Sequence, residues 1–289
     1  MKHIKTIGAV VIIFSGLIIA MYPFYSNILY NRNSSKVISD YQQEVDNMQQ
    51  EDIDAIKQAA SAYNEQLKAA VWKGENEDWQ QGTSYLDMQG VTSALGYINI
   101  PKIDVHLPVY HGTSSQVLEK GIGHIEQTSF PLGGVSTHSV LTGHRGMPNA
   151  VLFTDLDKIE KGDKFYLHIL DEVLAYQVDQ IKIVEPQDTS DLRIVEGKDY
   201  CTLVTCTPYA INSHRLLVRG VRVPYTGEEE ISDDNYQGFS TGMVVKRFID
   251  VWPVLLAAAV VIIGIEVIIM VLLIKRSIQK EKRRRKHVS

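Results

Sequence analysis

The sequence predicts a mainly β domain of the barrel or sandwich kind, preceded by helices, with an apolar span toward each end of the chain. Three observations carry this. Between about residues 95 and 226 short alternating runs are punctuated by Gly and Pro turns. Residues 36–72 contain neither Gly nor Pro and repeat their apolar side chains at three-and-four spacing. Residues 4–24 and 251–274 are long and apolar, in a chain that is otherwise ordinary at 45% hydrophobic and 22% charged.

Residues 4–24 carry a single charge, Lys5 at their start, and as a helix would extend about 31 Å, enough to cross a bilayer core. Residues 251–274 hold one ionisable group, Glu266, and would span with some tilt. Glu266 has no partner in the first span, so a protonated or homotypic role is favoured over a functional one. Lys2 precedes the first span and Lys5 stands at its start, and a Lys/Arg-rich run from Lys275 to Lys286 follows the second, whereas only Lys246 and Arg247 flank its other side. Basic flanks stay inside, so a two-pass protein is expected with both termini cytoplasmic and the domain between the spans outside. A cleavable signal peptide is the rival reading of residues 4–24; its apolar run is too long, and Ala20 is followed by Met21, Tyr22 and Pro23 rather than a small-residue site.

The net charge of −5 divides into a basic inner fringe and an acidic region between the spans. That balance argues against nucleic acid as a partner. No Gly-rich phosphate loop, Cys/His metal array or dinucleotide fingerprint is present, and no cofactor or metal is assigned.

Within 36–72, Tyr41, Val45, Met48, Ile56, Tyr63 and Leu67 mark one helical face, and the acidic cluster at 51–54 signals a break or a second helix start. A stalk or packing helix pair is expected there, with partner-helix binding as the alternative. From about 73 to 91 periodicity vanishes and Gly74, Asn76, Gly82 and Gly90 appear, a loop too long for a simple connector.

The β region follows. Ile98 and Ile100, then Val105, Leu107 and Val109, then Phe165, Leu167 and Ile169 alternate; Leu174, Tyr176 and Val178 lead into Ile181 and Ile183, with Asp171-Glu172 as a turn. Helix within this part is expected only at 117–120 and around 152–159. Residues 227–250 form an acidic linker to the second span.

The most informative stretch is 200–220. Two β-prone runs, 201–206 and 215–223, flank a turn-rich loop with Pro208, Asn212 and Ser213, which reads as a pair of neighbouring strands. If Cys206 and Arg215 end their strands opposite each other, their Cβ atoms lie about 5 Å apart on one face. A thiol then stands beside a guanidinium that cannot lose its charge. The bland alternative is a small buried hydrophobe. Cys201 fits that description: it lies five residues earlier on the opposite face, about 16 Å away, too far for a disulfide.

Of the nine histidines, His144 is the best-placed proton partner, because it ends a strand inside the Gly-flanked turn Gly143-His144-Arg145-Gly146. His138, nearer the start of the same run, is read as structural. His214 adjoins Arg215 but alternates to the other face. His106, His111, His124 and His168 have no cationic or thiol neighbour in sequence.

These residues carry a resemblance. Thr202-Leu203-Val204-Thr205-Cys206, with Arg215 nine residues on and Gly143-His144-Arg145-Gly146 upstream, resembles the signature of sortases, the cell-wall transpeptidases of Gram-positive bacteria. The likeness runs from about 96 to 223 and takes in 109–113, 121–124, 137–139 and 152–156. Cys206-Thr207-Pro208-Tyr209 followed by 212–220 is most similar to class C, the pilus-polymerising branch. The resemblance implies the eight-stranded sortase barrel at 95–226, between a stub and anchor (1–30), a helical segment with its lid loop (31–94), an acidic linker (227–250), a second span (251–274) and a basic tail (275–289).

It also implies roles. Cys206 attacks an LPXTG-like sorting signal after Thr, His144 protonates the leaving amine, and Arg215 holds the substrate or the developing oxyanion. The partners implied are pilin subunits with C-terminal sorting signals, an acceptor pilin lysine or a cell-wall peptide amine, and the membrane. Class C enzymes carry an Asp-Pro-aromatic lid over the site; this chain offers Asp78-Trp79 without the proline, so the turn is less pre-organised. The competing reading is an exposed Asp-Trp in a mobile loop. Against the pilus reading stand a housekeeping-type sortase, a hydrolytic cysteine protease and a non-enzymatic surface receptor.

Overall fold

The computed structural model describes residues 2–73, 94–148 and 150–227. The chain divides into two compact units, 1–237 and 238–289, and the second lies outside the described residues. So do the expected lid loop from residue 74, with Asp78 and Trp79, most of the expected acidic linker, the expected 251–274 span and the basic tail.

Two helices come first, α1 (Lys2–Asn47) and α2 (Gln50–Lys73). The break falls at Met48-Gln49, just before the acidic cluster that predicts it. Glu51 and Asp52 occupy the first turn of α2, where carboxylates are favoured by the helix dipole. The 4–24 run lies within α1, with several of its side chains outside the described residues. Among the described residues no helix is long and apolar enough to cross a membrane.

The choice between stalk and packing pair is decided by burial. Ile38, Tyr41 and Val45 of α1 and Ile53 of α2 join the main core of the barrel. Tyr41, 1% exposed, donates its hydroxyl proton to Leu95 O at 3.0 Å and accepts from Leu170 N at 2.7 Å. Buried Asn64 of α2 mimics a strand against Phe130, donating to its carbonyl at 3.1 Å and accepting from its amide at 2.7 Å. Polar groups that are buried but paired in this way fix the helices in one position.

The remainder is a closed barrel of eight strands: β1 (Gly96–Ile100), β2 (Val105–His111), β3 (Ile122–His124), β4 (Thr137–Thr142), β5 (Lys164–Ile169), β6 (Glu172–Val184), β7 (Asp199–Thr207) and β8 (His214–Val223). Their order around the barrel is β1-β2-β3-β4-β7-β8-β6-β5, and the β1–β5 ladder closes it. Closure leaves no free edge. The interior is filled by Ile98, Ile100, Leu141, Phe153, Phe165, Leu167, Tyr176 and Leu203, each fully buried.

β6 explains a feature of its own sequence. The apolar positions change phase between Val178 and Ile181, and the β6–β8 register slips there between Val178 and Gln180. One extra residue in a bulge restores the inward direction, so Ile181 packs against the core.

Among the described residues, helix inside the β region is confined to α3 (Ser115–Lys120) and three single 3₁₀ turns, Pro101–Ile103, Leu156–Lys158 and Ser190–Leu192. The helix expected across 152–159 is reduced to the middle one. Leu152 takes a φ of 43°, and Phe153 N donates to His144 O at 3.1 Å, so the chain is drawn into turns that plug Phe153 and Leu156 into the core. The short β3 escapes a reading by alternation because three residues are too few to show a period.

Candidate active site

The site begins with β7 and β8. They pair antiparallel, with Cys206 opposite Arg215 and Thr207 opposite His214, the juxtaposition the 200–220 stretch suggests. Alternation along both strands sets the faces. Cys201 and Leu203 of β7 and Leu216 and Val218 of β8 belong to the interior core. Val204 and Leu217 belong to a separate outer cluster with Val140, against which Ile125, Val184 and Leu192 pack. Cys206 and Arg215 share the parity of this outer face and end its apolar floor.

The two cysteines therefore differ as the face assignment requires. Cys201 is 0% exposed, and burial pushes its thiol well above the usual range. Cys206 is half-buried. The Arg215 Nη1 group donates to His214 O at 3.0 Å and to Asn212 O at 3.2 Å, which holds the guanidinium at the mouth of the β7–β8 loop.

β4 brings His144. β4 pairs parallel with β7, the last partners being Thr142 and Val204, and the chain keeps alongside after the ladder ends. Gly143 N donates to Val204 O at 3.1 Å, and Thr205 Oγ1 donates to Gly143 O at 2.7 Å. Two residues on, Arg145 Nη1 donates to Thr207 Oγ1 at 3.0 Å. His144 lies between these ties, level with Cys206 when the parallel register is continued. Gly143 is needed here: a Cβ would come within 2.6 Å of Ile122 Cδ1 and 2.9 Å of the Phe153 ring. Gly146 adopts a φ of +79°, and its bare Cα lies under the Tyr209 ring.

The other histidines serve the fold or the surface. His138, buried, donates from Nδ1 to Arg193 O at 2.8 Å and lies 2.7 Å from Thr202 Oγ1 through Nε2. It fastens the 185–198 segment over the outer face, and burial holds its pKa down at about 4. His124 is fully buried, donates to Ser129 O at 2.9 Å, and is likewise held at about 4 by burial. His214 turns toward Glu185, at 3.2 Å. His168 stacks on Tyr97 with ring centroids 4.2 Å apart, and His106 meets the same ring at 4.9 Å. His111 comes within 4.0 Å of Glu126. Among the described residues no group of three or more His, Cys, Asp or Glu side chains could hold a metal ion.

Residues 98–223 match the Sortase domain family. Sortase D of Bacillus subtilis (strain 168) is 30% identical to this chain over 171 residues, 58% of this chain and 82% of that protein. The chain belongs to the sortase family. This sortase is also 32% identical to sortase A of Bacillus anthracis over 126 residues, 44% of this chain and 58% of that one. Among solved structures, sortase C-1 of Streptococcus pneumoniae aligns with a TM-score of 0.60 at 48% identity, over 66% of this chain and 100% of that one. The lid mutant of Streptococcus agalactiae sortase C1 aligns with a TM-score of 0.63 at 43% identity, over 66% and 100%.

Membership makes this sortase a cysteine transpeptidase. Of the residues expected at its site, Cys206, His144 and Arg215 converge at one end of the β4–β7–β8 wall, while Asp78 and Trp79 lie outside the described residues. Sequence reading gives no role to Arg145, although it stands inside the quoted Gly-His-Arg-Gly run. An arginine next to a proposed acid is a signal only once its bonding partners are known.

Proposed function

We propose that this sortase is a pilus-assembling, class C enzyme in which Cys206, His144 and Arg215 carry the chemistry. The single observation behind the catalytic assignment is the opposition of Cys206 and Arg215 on the outer face, with the His144 turn tied alongside. Behind the class assignment stands 43–48% identity to sortase C1 structures over their whole length. One similar structure is described as a pilus-related sortase C of Group B Streptococcus.

The Cys206 thiolate attacks the Thr carbonyl carbon, in the peptide bond that follows Thr in an LPXTG-like sorting signal. Arg215 donates to the oxyanion that forms. The C–N bond breaks as His144 gives its proton to the departing amine. A pilin lysine then loses a proton to His144 and attacks the thioester, the C–S bond breaks, and an isopeptide bond joins the two subunits as the thiolate returns.

The sequence supports a two-pass membrane protein, with residues 4–24 and 251–274 as spans, both termini cytoplasmic, and the domain between them outside. Residues 73–91 are proposed as a lid in which Asp78 pairs with Arg215 and Trp79 covers Cys206.

A second reading is favoured by one observation. No proline separates Asp78 from Trp79, and a weaker lid suits a housekeeping sortase that transfers surface proteins to a cell-wall peptide amine. Incubation with a purified pilin carrying its sorting signal separates the two. A ladder of covalent multimers is expected; transfer only to cell-wall peptide would establish the second reading, and hydrolysis alone would exclude both.

A further inference from the structure

We propose that Arg145 is a positioning residue that sets His144 against Cys206, a role resting on the catalytic reading above. The guanidinium sends its N–H groups to three residues in two segments, Thr207 of β7 and Thr154 and Asp157 of the 153–157 turns. Nη1 donates to Thr207 Oγ1 at 3.0 Å, on the residue that follows Cys206. Nε donates to Thr154 O at 3.2 Å. Nη2 pairs with the carboxylate of Asp157. The Arg145 side chain is 8% exposed and that of Asp157 is 48%, so the part-buried bonds to Thr154 and Thr207 compete less with water than the ion pair does.

Residues 153–157 form a bracket behind the His144 turn. Phe153 N donates to His144 O at 3.1 Å, and Gly146 N donates to Thr154 Oγ1 at 3.1 Å. These two hydrogen bonds hold the turn to the bracket and do not run to β7. Gly143 ties the turn to β7 before Cys206, at Val204 and Thr205. Arg145 is the tie after Cys206. With both in place, the backbones carrying the proposed acid and the proposed nucleophile cannot slide past each other.

Charge is not what this residue supplies. Asp157 faces it, and Arg215 already provides a cation on the proposed nucleophile's own face. What Arg145 supplies is a planar fork with donors in three directions, which a lysine cannot reproduce. Misplacement of a catalytic pair by about 1 Å costs on the order of 100-fold in rate while leaving substrate binding intact, so loss of the fork belongs in kcat rather than KM.

The test uses the full chain and a sorting-signal peptide. For wild type, Arg145→Lys and Thr207→Val, kcat and KM are measured together with the rate of Cys206 alkylation, each variant also in a His144→Ala background. Arg145→Lys is expected to lower kcat by about 10- to 100-fold and Thr207→Val several-fold, with KM changed by less than about two-fold. In the His144→Ala background neither substitution slows alkylation further, since a residue that acts through His144 has nothing left to position. Wild-type kcat in Arg145→Lys, or the same fractional loss of alkylation with and without His144, would overturn the role. Should Arg145→Lys fail to fold, Thr207→Val decides alone, and wild-type kcat there overturns it. Full turnover in His144→Ala would remove the catalytic reading and this role with it. Loss in His144→Ala beside full turnover in Arg145→Lys would remove only the role of Arg145.

Discussion

Cys206 and Arg215 are Cα partners across the β7–β8 ladder, and Cys201, five residues back on β7, is the partner of Gly220. The first pair looks outward and the second lies over the core. Cys206→Ala is therefore expected to abolish thioester formation and transfer. Cys201→Ala should keep both, at a stability loss of about 1 kcal/mol for a small change in a packed interior. Intact-mass detection of the acyl-enzyme, with unfolding curves for both variants, checks this. Equal loss in two well-folded variants would sink the face assignment.

Arg215→Lys is expected to behave as a loss-of-function change. The guanidinium is held by the His214 and Asn212 carbonyls through one nitrogen, which among the described residues leaves its other donors for substrate or oxyanion. A lysine offers a point charge without that fork. A drop in kcat/KM of about 100-fold is expected, and near-normal turnover would reduce Arg215 to steering.

Tyr41→Phe tests whether α1 belongs to the barrel. The hydroxyl links Leu95 and Leu170 from a position 1% exposed. Removing it leaves the Leu170 amide without that partner, at a cost of about 1–3 kcal/mol. Denaturant unfolding should show this loss with the acylation rate unchanged. No change in midpoint would mean that the helix contributes little to the fold.

Stability should fall in mild acid. Burial holds His124 and His138 at about 4 in the folded protein, whereas an unfolded histidine titrates near 6.5. His111 is shifted in the same direction, chiefly by burial. The unfolded chain thus takes up protons that the native one refuses. The contribution is complete above about pH 6.5 and is lost as pH falls through about 4. At roughly 1.4 kcal/mol per unit and per histidine, several kcal/mol are at stake. Unfolding midpoints at pH 7, 5.5 and 4.5 measure the slope, and His138→Gln should flatten it. A profile level between pH 6.5 and 4 would count against the buried neutral rings.

The proposed lid makes a separate prediction. Asp78→Ala or Trp79→Ala should speed Cys206 alkylation a few-fold, because each removes a contact present only in the closed form, worth about 1 kcal/mol or less. Identical rates in wild type and both variants would leave 73–91 as a plain loop, with the catalytic assignment untouched.

Much of this was legible in the sequence because it depends on neighbours along the chain. Alternation marks β1, β2, β5 and β6, three-and-four spacing and the 51–54 cluster mark α1 and α2, and the Pro208 to Ser213 turn forces Cys206 to face Arg215. Even the bulge in β6 is written as a change of phase between Val178 and Ile181. Three things were decided only in three dimensions. The helices pack on the barrel rather than standing off it, because Tyr41 and Asn64 find backbone partners more than fifty residues away. The His144 turn lies beside Cys206 because β4 pairs in parallel with β7, and parallel neighbours need a long crossover that leaves no local trace. Arg145 acquires a role for the same reason: its bonds reach Thr154, Asp157 and Thr207, and only the closed barrel brings those three to one guanidinium.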